Sequence, residues 1–127
     1  MKKLLALAFI GLSVGYSHAA EPVVKYELYP RFSIGVTSVT IASAGGDSRN
    51  CITDWTLMST IASTMTILDG SLATGTTIWG LSSAPANIPV VVTTGNKESA
   101  LCGGANSPMV ISITNGTPSI NYRGFVK

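Results

Sequence analysis

The chain has 127 residues, enough for one small domain, with eight Lys and Arg, six Asp and Glu, a single His and a formal charge of +2. The surplus charge and the histidine belong to Lys2, Lys3 and His18; beyond residue 19 the bases Lys25, Arg31, Arg49, Lys97, Arg123 and Lys127 balance the acids Glu21, Glu27, Asp47, Asp54, Asp69 and Glu98. Scattered, balanced charge argues against nucleic acid as a partner, and a domain without imidazole is excluded from Ser-His-Asp or Cys-His nucleophile activation and from His-containing zinc sites.

Residues 1–19 have the order of a secretory signal peptide. Lys2 and Lys3 form a positive start, Leu4 to Val14 an apolar stretch too short to span a bilayer, and Ser17-His18-Ala19 a small-residue cleavage site. The expected mature product is a single domain over residues 20–127, exported to the periplasm, the extracellular space or a virion, and without a membrane anchor. In such a compartment thiols oxidise, so Cys51 and Cys102 are expected to form a disulfide. Closing a loop of about fifty residues adds roughly 3–4 kcal/mol in the chain-entropy description.

The remaining elements read as strands. Val23 to Leu28 is the first, ended by Pro30, and Phe32 to Ile41 follows with apolar Phe32, Ile34 and Val36 alternating with small or polar residues. The apolar phase then slips to Val39 and Ile41, which predicts a bulge or bend near Thr37-Ser38. Ala44 to Ser48 is a turn. A strand through Cys51, Ile52 and Trp55 reaches Leu57, and the Ser/Thr-rich stretch after it reads as two strands joined near Ser59-Thr60. The second of these, Thr64 to Leu68, stops at the turn signal Asp69-Gly70.

Thr76 to Trp79 is a compact aromatic strand, Val90 to Val92 a short apolar run of the buried type, and Ser99 to Cys102 another strand after the turn Thr94 to Lys97. Met109 to Thr114 and Ser119 to Tyr122 flank Asn115-Gly116, the preferred pair for a type I′ hairpin. Together these make about eight or nine short strands and predict an all-β fold, a two-sheet antiparallel sandwich of jelly-roll type.

Few motifs suggest chemistry. Asn115-Gly116-Thr117 fits a glycosylation sequon, but a turn requires the same Asn-Gly. Asp47, Asp54, Asp69 and Glu98 have neither calcium-loop spacing nor a diagnostic carboxylate pair, and each lies in or beside a turn, where acids cap backbone amides. The expectation is therefore a protein that is not an enzyme and has no catalytic residues, cofactor or metal. Trp55 and Trp79 lie within apolar strands and are assigned to the core. Tyr26, Tyr29 and Tyr122, near strand ends, are the candidates for an exposed contact surface.

Trp55-Thr-Leu-Met58, Thr66-Ile-Leu-Asp-Gly70, Gly75-Thr-Thr-Ile-Trp79, Leu101-Cys-Gly-Gly104 and Ile120-Asn-Tyr-Arg-Gly-Phe125 follow one another in an order that resembles small all-β bacteriophage virion proteins of the head-decoration or tail-adsorption type. The resemblance implies a non-enzymatic structural or attachment module. Such a module would self-associate, often as a trimer, and meet a particle or cell surface as its partner. A secreted carbohydrate-binding or lectin-like adhesion module is the alternative expectation.

Overall fold

The computed structural model describes residues 24–127, except the side chains of residues 29–31; the signal peptide read at residues 1–19 lies outside the described part. Nine strands follow in chain order: Tyr26–Ile34 (β1), Ser38–Ile41 (β2), Asn50–Ser59 (β3), Ser63–Asp69 (β4), Thr76–Ala84 (β5), Val90–Thr93 (β6), Leu101–Cys102 (β7), Met109–Ile113 (β8) and Pro118–Val126 (β9). One sheet has the order β1-β9-β3-β6, with β7 also on β3, and the other has the order β2-β8-β4-β5. All pairings are antiparallel.

The pairs β1–β9, β2–β8, β3–β6 and β4–β5 describe one long antiparallel ribbon with its tip at the β4–β5 hairpin. Rolling that ribbon brings β9 onto β3 and β8 onto β4, which closes the two sheets into a jelly roll. The all-β sandwich expected from the strand spacing is the fold observed.

Alternation drives the core. In β9, Ile120 and Tyr122 point inward while Ser119, Asn121 and Arg123 point out; Met65 and Ile67 of β4 and Met109, Ile111 and Ile113 of β8 close the core from the other sheet. Trp55 and Trp79 meet edge to face across it, with ring centroids 5.6 Å apart at 79°. Their assignment to the core holds. In β3 the inward residues Ile52 and Trp55 are three apart, because the register shifts between Ile52 and Asp54 and resets the alternation.

The registers also correct several expectations. Asn115-Gly116 does not make a hairpin: β8 pairs with β2 and β4, β9 pairs with β1 and β3, and the connection arches from one sheet to the other. Gly116 has φ +80°, but Asn115 is not among the residues of positive φ, so the type I′ geometry is absent. Glycine is needed at 116 for a second reason. A Cβ there would lie 2.4 Å from Ser59 Oγ and 2.9 Å from Ile61 Cγ1, atoms of the neighbouring β3–β4 arch.

Pro30 does not end the first strand. β1 runs through it on the sheet edge, with an irregularity between Leu28 and Arg31. Phe32 and Ile34 then lie opposite Asn121 and Ser119 on the outer face, each 64% exposed, instead of in the core. The phase slip predicted near Thr37-Ser38 is real, but there the chain changes sheets: Val39 and Ile41 face inward from β2. Val90 to Val92 is likewise an edge strand with Val91 exposed, because among the described strands it pairs with β3 alone and the alternation turns Val91 outward.

Candidate functional site

The jelly roll puts the β1–β2, β3–β4, β5–β6 and β8–β9 connections at one end of the sandwich. Hydrogen bonds tie them together: Gly35 N donates to Pro118 O, Asn87 N to Ser59 O, Thr117 N to Thr60 Oγ1, and Ser59 Oγ to Asn115 O. The opposite end carries both ends of the described chain, since Lys25 N donates to Val126 O and Lys127 exchanges two backbone hydrogen bonds with Arg49.

Charge and apolar exposure divide along this axis. From the cross-strand row Phe32, Asn121, Thr56 and Val91 outward to the four-connection end, the sequence contains no Asp, Glu, Lys, Arg or His. That charge-free half displays Phe32, Ile34, Val36, Ile61, Ile88 and Val91, each between 41% and 64% exposed. Exposed apolar groups scattered singly are ordinary; here six of the eight large exposed apolar side chains among the described residues fall in one uncharged half, a concentration that singles this half out as a contact surface.

The other half holds a groove of about 400 Å³ on the outer face of the β1-β9-β3-β6 sheet, lined in part by Glu27, Asp54, Lys97 and Arg123. One wall is the β6–β7 connection. It leaves β6 at the sheet edge, where Thr94 N donates to Thr53 O, and crosses the outer face until Lys97 pairs with Glu27 on β1. Lys97 Nζ sits 5.6 Å from the centroid of Phe125, which is fully buried although it points away from the main core. The strap shields Phe125 from solvent.

Beside the strap, Arg123 and Asp54 face each other in register, with Arg123 Nε and Nη2 at 3.0 and 2.8 Å from Asp54 Oδ2. The Thr53 hydroxyl donates to the same oxygen at 2.8 Å. The hydrogen bond from Thr53 is the largest influence on the Asp54 carboxyl and, with further hydrogen bonds from Arg123 and Thr93, holds it below its ordinary value against desolvation, the next largest effect. A carboxyl depressed in the folded state adds stability that is complete above its unfolded value, near 3.9, and is lost as pH falls through its folded value. Asp54→Asn is therefore expected to remove a small acid-labile contribution, below about 1 kcal/mol for a pair this exposed, read as a smaller difference between urea midpoints at neutral and strongly acidic pH.

The predicted site residues separate in space. Cys51 and Cys102 are directly opposed in register and form the disulfide, with Cα atoms 4.1 Å apart. Tyr26 is 52% exposed at the end where the described chain begins and ends. Tyr29 lies in β1 and its side chain is outside the described part. Tyr122 is buried at 6% exposure beside Trp55, because its register position faces the core; it does not join a tyrosine contact surface. The acids do not gather either: Asp69 Oδ2 accepts Gly104 N at 2.9 Å as a loop cap, while Asp54 lies in the groove. Among the described residues, no group of three or more His, Cys, Asp or Glu side chains could hold a metal ion. No helix among them is long and apolar enough to cross a membrane.

No protein-family model, curated protein or solved structure matches the chain.

Proposed function

We propose that this chain is an exported, non-enzymatic structural or attachment module that self-associates, the charge-free half being the contact between copies. The observation that carries the reading is the coincidence of six exposed apolar side chains with the absence of any charged residue from one half of the described domain. A surface without ionisable groups meets a second copy of itself without like-charge repulsion and without desolvating a charge. The described chain begins and ends at the far end, so Lys25 and Lys127 leave this contact unobstructed. The order of elements shared with small phage virion proteins supports a particle or cell surface as the place of assembly, and the disulfide is consistent with export.

Light scattering on residues 20–127 tests the proposal. The expected result is an oligomer at micromolar concentration that dissociates when Val91 and Ile88 are both replaced by lysine, the variant remaining a folded monomer that has lost only the stability association had added. A strict monomer at millimolar concentration would overturn it.

A further inference from the structure

We infer that the groove between the strap and the Arg123–Asp54 row is a binding site for a short neutral saccharide, separate from the contact between copies. Three properties of the groove carry this. The first is its charge balance: Glu27 is matched by Lys97 and Asp54 by Arg123, all within the groove lining, so neither an anion nor a cation gains from the local field. The second is its density of polar partners. Two carboxylates accept, a guanidinium and an ammonium donate, and the Thr53 and Thr93 hydroxyls and Asn96 do either. A ligand bearing many hydroxyl groups is at once donor and acceptor, and it can use both kinds of partner without bringing a charge of its own. Hydrogen bonds to ionised groups are also the stronger kind, which suits a ligand with little apolar surface.

The third property is preorganisation. The strap is fixed at Thr94 by the backbone of β3, at Lys97 by Glu27 and Phe125, and just beyond its far end by the Cys51–Cys102 disulfide. Within it, Asn96 Oδ1 accepts Ser99 N at 2.8 Å and Asn96 O accepts the Thr94 hydroxyl at 3.1 Å, so the wall does not have to order itself when a ligand arrives. The space, about 400 Å³, lies within the usual range for small-ligand pockets, about 300–1,000 Å³. Arg123 is 62% exposed at its side chain, and its ion pair is of the solvent-screened class that a ligand can rearrange at little cost.

This site would act with the proposed assembly, since several weak saccharide sites on one oligomer bind a glycan-bearing surface far more tightly than one does. It does not depend on assembly, and its test is read on the single domain.

Saturation-transfer NMR with the methyl glycosides of glucose, galactose, mannose and N-acetylglucosamine, and with glucuronate as an anionic comparison, tests the assignment. Transfer to at least one neutral glycoside in the millimolar range is expected. Arg123→Ala should weaken it about tenfold or more, as should Thr93→Val, with the melting temperature of each variant little changed. Val91→Lys, which lies in the charge-free half, should leave transfer intact. The inference is overturned if none of the four neutral glycosides binds, if glucuronate binds in preference to them, or if both groove variants retain full binding. Saccharide binding by a strictly monomeric protein would support this site while removing the assembly proposal.

Discussion

Replacing Cys51 and Cys102 together with serine is expected to lower the stability of the domain by about 2–5 kcal/mol, the usual cost of losing a native disulfide from a small secreted fold. The two residues are 51 apart in sequence, so the bond removes a long loop from the freedom of the unfolded chain. It also fastens the far end of the strap, beyond the contacts at Thr94 and Lys97. β7 is two residues long and pairs with β3 at Cys51–Cys102 and Ile52–Leu101, and it anchors the end of the strap that shields Phe125. Phe125 should therefore become accessible in the serine variant before the rest of the domain unfolds. Urea denaturation of the oxidised wild type against the double variant checks the first effect, and hydrogen exchange at the Phe125 amide relative to that of Ile111, compared between the two proteins, checks the second. Equal stability of the two proteins would contradict both.

How far the sequence disclosed this molecule depends on which physical signal each residue carries. Alternation in Ser119 to Tyr122 and the Asp69-Gly70 turn are local, and both correspond to what forms: a strand with an apolar inner face and a true hairpin. Asn115-Gly116 has the same local form as a hairpin turn but sits in an arch, because the partners of β8 and β9 are decided by strands far away in the chain. A jelly roll joins nearly every strand to the opposite sheet, so turn chemistry locates the connections without telling what they connect. Phe32 and Ile34 misled for a related reason. Period-two patterning identifies two faces, and the pairing with Asn121 and Ser119 decides which is buried.

The groove was not legible at all in this sense. Lys97 and Glu27 are 70 residues apart, as recorded by their contact, and Arg123 and Asp54 are 69 apart. Nothing local in Thr94-Gly-Asn-Lys97 says that this turn lies across a sheet face instead of standing off its edge. By contrast, the charge-free half could have been noticed in the sequence. The runs 32–46, 55–68, 70–96 and 99–122 lack every ionisable residue except the tyrosines and the disulfide cysteines, and the missing step was knowing that the roll gathers the ends of β1, β3, β5 and β8, with the connections that follow them, at one end. The fold collects the sparse charges of the described residues in one half and most of their large exposed apolar side chains, Leu72 and Tyr26 excepted, in the other.

The sharpest single-residue test of that fold is Gly124. It sits in β9 opposite Ile52, beside the irregularity at which β3 resets its alternation. A Cβ at this position would lie 2.0 Å from the carbonyl oxygen of Cys51 and 2.9 Å from Cα of Ile52. Both are backbone atoms, so no change of rotamer can relieve the overlap, and the two strands would have to separate where β9 and β3 form the centre of the sheet. Gly124→Ala is accordingly expected to destabilise the domain by about 3 kcal/mol or more, at the upper end for overpacking, and to lower the melting temperature by roughly 10 °C or more. Gly80 provides the comparison within the same molecule. It lies in edge strand β5, and a Cβ there meets nothing closer than 3.5 Å, so Gly80→Ala is expected to be neutral or to stabilise by up to about 1 kcal/mol through the reduced freedom of the unfolded chain. Thermal unfolding of the two variants should therefore separate widely; similar melting temperatures would mean that β9 and β3 do not approach as closely as the register requires.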